Sequence, residues 1–331
     1  VNPSDLPSTP DRQVGRAAVR RFVAAYGTAL AGLAIFVFLL LVARNFATAA
    51  NLLNVLKHTS FLAILSVGFT FALITAELDL SFAGLCSLAA VVTGGLVHGG
   101  TYWPLAVATG LAIGIAGGLL NGILVTRLKV PSLIATLGTA SIATGLAFMI
   151  TRGVAFVGRW DDEFLALARG KVAGIPTLTL FMAAVVGLGW LVTRHTRLGI
   201  HMIATGEAEE EARRAGVATR RMKVIGLTVS GAMAGVAAVL LVANLSSAAP
   251  QMAGDYLLNA IAAVLLGMTM FEPGRPNVAG SFTGALIIAM LANGLVLMGA
   301  PYYIQDIMLG VIVIGSVSVS ASVLKKAAFS I

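Results

Sequence analysis

One polar interruption, residues 194–223 (RHTRLGIHMIATGEAEEEARRAGVATRRMK), divides two blocks of membrane-length apolar sequence and carries 11 of the 36 Asp, Glu, Lys and Arg side chains. Such a chain cannot close around one water-facing surface. Its apolar blocks have to be buried in lipid or against each other, and its charges have to stay outside the hydrocarbon. With 58% hydrophobic and 11% charged residues and a mean hydropathy of +0.94, an ordinary soluble domain is excluded. The expectation is an all-α, polytopic membrane protein.

Inside the interruption, Glu207 to Ala215 contains good helix formers and no proline, with Glu209, Glu210 and Glu211 preceding Arg213 and Arg214. Acids first and bases last suit the helix dipole. Gly216 follows where a helix would take a left-handed stop. The pattern predicts a short helix lying across the inner membrane surface; on charge alone, a solvated loop is the alternative.

Ten spans are predicted, at 23–43, 60–76, 81–97, 104–125, 131–151, 177–193, 224–244, 256–271, 278–299 and 304–323. Each is near the length that about 30 Å of hydrocarbon demands at about 1.5 Å per residue. Residues 1–22 read as a cytoplasmic N-terminal tail, 23–324 as one transmembrane domain that includes the 194–223 loop, and 325–331 as a cytoplasmic C-terminal tail. Ala47 and Ala49 could mimic a signal-cleavage site, but the stretch before them is longer than a signal core and is expected to stay as a helix. A cytoplasmic N-terminus puts 16 basic residues inside and six outside, in line with the positive-inside rule. That rule also accounts for the net charge of +8 without nucleic acid.

The 37 glycines are scattered through the apolar runs, as close helix approach in lipid requires. Ala89-Ala90-Val91 with Gly94 recurs as Ala262-Ala263-Val264 with Gly267, and Asn121-Gly122 recurs as Asn293-Gly294. Pro131 and Pro301 follow at offsets that stay between 170 and 173 residues. This echo relates spans five apart, the signature of an inverted repeat of two five-helix halves; chance matches among small residues are the other explanation.

No Gly-x-x-x-x-Gly-Lys-Ser/Thr cradle is present, so ATP is not expected on this chain. His58, His98, His195 and His201 stand singly near span ends, without metal spacing or a catalytic constellation. Cys86 has no intrachain partner and reads as a buried small hydrophobe. Glu77, Asp79, Asp255, Glu272 and Asp306 lie near span ends rather than within spans, which disfavours proton or sodium coupling.

Several stretches resemble the permease subunit of bacterial ABC importers of the ribose/xylose type. The most specific is Asn121 to Gly138, NGILVTRLKVPSLIATLG, with further matches at Leu78-Asp79-Leu80-Ser81, Ala260 to Gly267, Gly280 to Gly284 and Tyr302 to Gly310. Two departures stand out: Ala76-Glu77 where the family usually carries glycines, and Phe271-Glu272-Pro273 in place of a Ser-Gly-Gly-like turn. The resemblance implies a subunit that is not itself an enzyme and imports a monosaccharide or related polyol across the bacterial inner membrane. ATPase subunits, an extracytoplasmic solute-binding protein and a second permease copy or homologue would be its partners, with lipid around them and no cofactor on this chain. It marks Glu209, Glu210, Ala212, Arg213 and Gly216 as the segment coupled to the ATPase. A polyol passing between apolar helices needs hydroxyl and amide partners, for which Asn121, Thr136, Thr139, Ser141, Asn244, Asn259 and Asn293 are the candidates. The alternative is an ion-coupled secondary transporter of a small polar solute.

Overall fold

The computed structural model describes residues 30, 32–158 and 160–329, with side chains described as far as residue 316. The tail expected at 1–22 lies outside the described residues. The chain forms α1 (Gly32–Val42), α2 (Ala49–Ile74), α3 (Phe82–His98), α4 (Trp103–Thr126) and α5 (Ser132–Thr151). After a loop carrying α6 (Asp162–Arg169) come α7 (Thr177–His195), α8 (Arg197–Glu207) and α9 (Glu209–Arg214). The chain ends with α10 (Thr219–Leu245), α11 (Tyr256–Gly267), α12 (Val278–Leu297) and α13 (Tyr302–Phe329).

Among the described residues, six helices are long and apolar enough to cross a membrane: α2, α4, α5, α7, α10 and α12. Four shorter apolar helices, α1, α3, α11 and the first half of α13, occupy the remaining predicted spans. The predicted span at 60–76 corresponds to a helix that already starts at Ala49, because Thr48 caps it and accepts from the Asn51 N–H. Asn51, Asn54, Lys57 and His58 in its first turns hide this start from a hydropathy reading. The span predicted at 256–271 stops instead at Gly267, and a turn follows in which Phe271 takes a φ of 59°.

Burial orders the helices. The most apolar window of α2 is 89% buried inside the protein, against 28% for α4 and α5 and 22% for α7, so α2 is the central post and the other three turn an apolar face outward. Small residues allow the close approach that lipid-embedded helices need. Gly110, Gly114 and Gly118 recur every fourth residue on α4 and pack against the α10 backbone at Leu227, Gly231 and Gly235. Gly267 of α11 lies against Gly280 of α12 in the same way.

Two ends of the bundle differ in chemistry. At one, the C-terminal ends of α2 and α7 meet α8, α9 and the start of α10, bringing most charged groups together; this is the charged end. At the opposite end, the loop between α5 and α7 folds α6 onto α10, and Asp161 caps α6 by accepting from the Glu163 N–H. Arg169 donates to the Asn244 carbonyl at 2.6 and 2.9 Å. Two short antiparallel strand pairs, Phe156–Val157 with Ser247–Ala248 and Lys171–Val172 with Ile175–Pro176, complete this end; the sequence gives no periodicity long enough to announce them.

Candidate functional site

The charged interruption folds into α8, α9 and the first turn of α10. α9 is six residues long, and its last turn closes as a Schellman motif: Gly216 N–H donates to the Arg213 carbonyl at 3.0 Å and Val217 N–H to the Ala212 carbonyl at 2.9 Å. Gly216 has a φ of 86°, a left-handed backbone that other residues adopt only at a cost. Ala212 is the buried face of α9, whereas Glu210 and Arg213 pair with each other at 2.6 Å on its exposed face. Glu211, Arg214, Arg220 and Arg221 also face outward there. A short, charged helix with an exposed face therefore stands at this end of an otherwise apolar bundle.

Ion pairs bind this segment to the rest of the charged end. Arg194 pairs with Glu272 and Arg275 with Glu207, each at 2.6 Å. Lys223, at the start of α10, lies 2.8 Å from Glu77 and 2.8 Å from Glu209. The Glu77 carboxylate is almost fully enclosed; burial pushes its pKa up, and the neighbouring Lys223 ammonium opposes that rise.

Behind Glu77, the extended stretch leading into α3 is held by α4 and α5. Leu78 N–H donates to Ser132 Oγ at 3.2 Å, and Thr136 Oγ1 lies 3.2 Å from the Leu78 carbonyl. A directed chain of donors then runs from Thr139 to Asn121 at 2.6 Å, from Asn121 to Ser81 at 2.8 Å, and from Ser81 Oγ to Asp79 Oδ1 at 2.5 Å. Donors aligned toward one carboxylate reinforce each other in a low-dielectric interior.

At the opposite end, α11, α12 and α13 surround a cavity of about 360 Å³ whose polar lining is Asp255, Asn259, Tyr302, Gln305 and Asp306. A second cavity of about 330 Å³ shares several of these residues and adds His58, Tyr256 and Asn293. Amide, carboxylate and aromatic groups over aliphatic walls can exchange hydrogen bonds with a hydroxylated solute and cover its apolar faces.

A family described as the permease component of a branched-chain amino acid transport system matches residues 51–317. The chain belongs to this permease family. The permease is 36% identical over 278 residues to the ribose import permease protein RbsC of Escherichia coli K12, covering 83% of this chain and 87% of that one. It is 31% identical to RbsC of Bacillus subtilis over 85% of this chain and 89% of that one. To the autoinducer 2 import system permease protein LsrC of Photorhabdus luminescens it is 28% identical, over 86% of each chain. No solved structure matches. These relatives are named as transport permeases, not as enzymes.

In this permease the residues expected to couple to an ATPase are contiguous: Glu209, Glu210, Ala212, Arg213 and Gly216 make up α9 and its stop. The seven pathway candidates are not contiguous. Asn121, Thr136 and Thr139 are buried and bridge helices toward the charged end. Asn259 and Asn293 line the cavities at the other end, where Asn293 also exchanges two 2.9 Å hydrogen bonds with Asn51. Ser141 lies on the exposed face of α5, and Asn244 ends α10 beside Arg169. Sequence reasoning missed Gln305 and Tyr302, and placed Asp255 and Asp306 only as span-end acids, since the cavity is assembled from helices distant in sequence. It also missed Lys223 as the partner of Glu77. An acid, Glu77, directly after an apolar run was the available signal.

Proposed function

We propose that this permease is the membrane-spanning subunit of an ATP-binding-cassette importer that moves a monosaccharide or related polyol into the bacterial cytoplasm by alternating access. The observation that carries this reading is α9: a capped, charged helix on a rigid bundle is a lever without an engine, and the chain has no phosphate cradle of its own. ATPase subunits docking on the exposed face of Glu210, Arg213 and their neighbours would supply the motion. A solute-binding protein would deliver the solute at the opposite end, and a second permease copy or homologue would complete the pathway. The ribose permeases among its relatives favour a sugar over an amino acid.

The charged end then faces the cytoplasm, with both termini on that side of the inner membrane. Ten crossings follow if α1, α3, α11 and α13 complete the six longer spans, the shorter ones with irregular approaches that are buried in protein rather than exposed to lipid. Packing supports an inverted repeat: α3 contacts α4, α5 and α10, whereas α11 contacts α12, α13 and α2, the same set once α10 and α2 are exchanged. For the solute we favour a route entered at the cavity of Asn259, Asn293, Gln305 and Asp306, with Asn121, Thr136 and Thr139 holding helices together below it.

The buried Asp79 is the feature that would favour a cation-coupled carrier, but Ser81 already satisfies one of its oxygens twice. Uptake by cells separates the two. An importer driven by ATP keeps taking up labelled D-ribose, or another pentose or hexose, after an ionophore has collapsed ion gradients and stops when ATP is depleted. Loss with the gradient alone would favour the carrier.

A further inference from the structure

The extended stretch between α2 and α3 is gripped from two sides. On the side of α9, Lys223 Nζ bridges Glu77 Oε1 and Glu209 Oε2, each at 2.8 Å. The Glu77 side chain is 1% exposed and Lys223 12%, whereas Glu209, the first residue of α9, is 41% exposed. Lys223 therefore sits between a carboxylate sealed in the protein and one carried by α9. Next to this bridge, Gly206 of α8 lies so close to the end of α2 that a Cβ there would overlap the Ile74 carbonyl. Ala76, between the two contacts, has a φ of 59°, so the backbone turns sharply just before Glu77. On the other side, Leu78 is bonded to Ser132 and Thr136 of α5 and Ser81 to Asn121 of α4, while Asp79 accepts from Ser81.

We infer that the Glu77–Lys223–Glu209 bridge is the joint through which displacement of α9 reaches α3, α4 and α5, with Lys223 as its positioning residue. This rests on the importer reading above. A hydrophobic contact between α9 and the bundle could slide, because dispersion has no preferred direction. An ammonium placed between two carboxylates is held to both by charge, and the sealed carboxylate strongly resists separation from its only ion-pair partner among the described residues. Moving Glu209 pulls on Lys223, Lys223 on Glu77, and Glu77 on a stretch whose other bonds end on α4 and α5. A salt bridge at a helix surface would dissipate that motion, since water competes for both partners. The enclosed half of this bridge lies where water does not compete.

The test uses the complete transporter, with its ATPase and solute-binding partners, in proteoliposomes. Binding-protein-stimulated ATP hydrolysis and uptake of D-ribose, or of whichever pentose or hexose the wild-type complex takes up, are measured on the same samples. The double variant Glu77→Gln/Lys223→Met removes the bridge without stranding a buried charge. It is expected to reach wild-type abundance and to hydrolyse ATP, while solute moved per ATP falls by about tenfold, a coupling loss of ordinary allosteric size. Lys223→Arg, which preserves the cation, is expected to retain the wild-type ratio. A wild-type ratio in the double variant overturns the proposal, because a bridge serving only stability would not alter the ratio in protein that has folded. Should the double variant not accumulate, Glu77→Gln decides alone: a lowered ratio supports the joint and an unchanged one overturns it. Absence of ATP-driven uptake in the wild-type complex would instead sink the importer reading.

Discussion

Gly114 on α4 and Gly231 on α10 face each other so closely that a Cβ on either would overlap the carbonyl oxygen of the other. No rotamer change can relieve an overlap with backbone, so the helices themselves would have to separate. Gly114→Val is expected to cost about 1–3 kcal/mol or more through overpacking and to lower the amount of folded protein in the membrane. Gly145→Ala on α5 is the control, since a Cβ there meets nothing within 4 Å. Fluorescence-detected size-exclusion profiles of tagged variants check the pair; equal, monodisperse profiles for both would show that α4 and α10 do not pack in this way.

Gly216 offers the converse case, in which space is free and the backbone is the obstacle. A Cβ there has no neighbour within 4 Å, but the φ of 86° remains. Gly216→Val should cost on the order of 1 kcal/mol or more at the stop of α9 and leave the bundle intact. The expected outcome is normal membrane insertion with uptake lost. Wild-type uptake by that variant would remove the docking role assigned to α9.

Asn121 and Asn293 occupy equivalent places in the sequence echo but different chemistry in the fold. Replacing Asn121 by Leu takes from Thr139 its acceptor in a buried site, at about 1–3 kcal/mol, and from Ser81, which still donates to Asp79, the amide it accepts from, so abundance should fall together with uptake. Asn293→Leu changes the wall of the opposite-end cavity and removes both hydrogen bonds exchanged with Asn51, whose amide still donates to the Phe46 carbonyl. Uptake per folded molecule should therefore fall more for Asn293→Leu than for Asn121→Leu. Quantitative immunoblotting beside uptake assays measures both quantities, and the reverse order would move the pathway toward Asn121.

Orientation is open to direct labelling, because Cys86 is fully buried and gives little background. A membrane-impermeant maleimide added outside is expected to label Asp162→Cys on the exposed start of α6 and to spare Arg213→Cys on α9 until the membrane is opened. Labelling of Arg213→Cys from outside would invert the topology.

Features that depend on adjacent residues were legible in the sequence. The order of Glu209–Glu211 before Arg213 and Arg214, and the glycine that follows, specify α9 and its stop through local chemistry alone. Among the described residues, apolar run length located the six helices long enough to cross a membrane, but it misjudged the ends where polar residues continue a helix, as at Asn51 to His58, or where a turn interrupts apolar sequence, as at Met268 to Phe271. Relationships between distant residues were not legible. Nothing local ties Glu77 to Lys223, and the latter read simply as one more basic residue in the loop. Likewise, Asp255, Asn293 and Gln305 meet only because α11, α12 and α13 pack around one cavity.

The most direct measurement is uptake of labelled D-ribose, or of another pentose or hexose, into proteoliposomes holding the permease, its ATPase subunits and its solute-binding protein. Accumulation that requires ATP on the α9 side and the binding protein on the other, and that disappears when any one of the three components is omitted, is the expected result. Accumulation by the permease alone, driven by a proton or sodium gradient and indifferent to ATP, would contradict it.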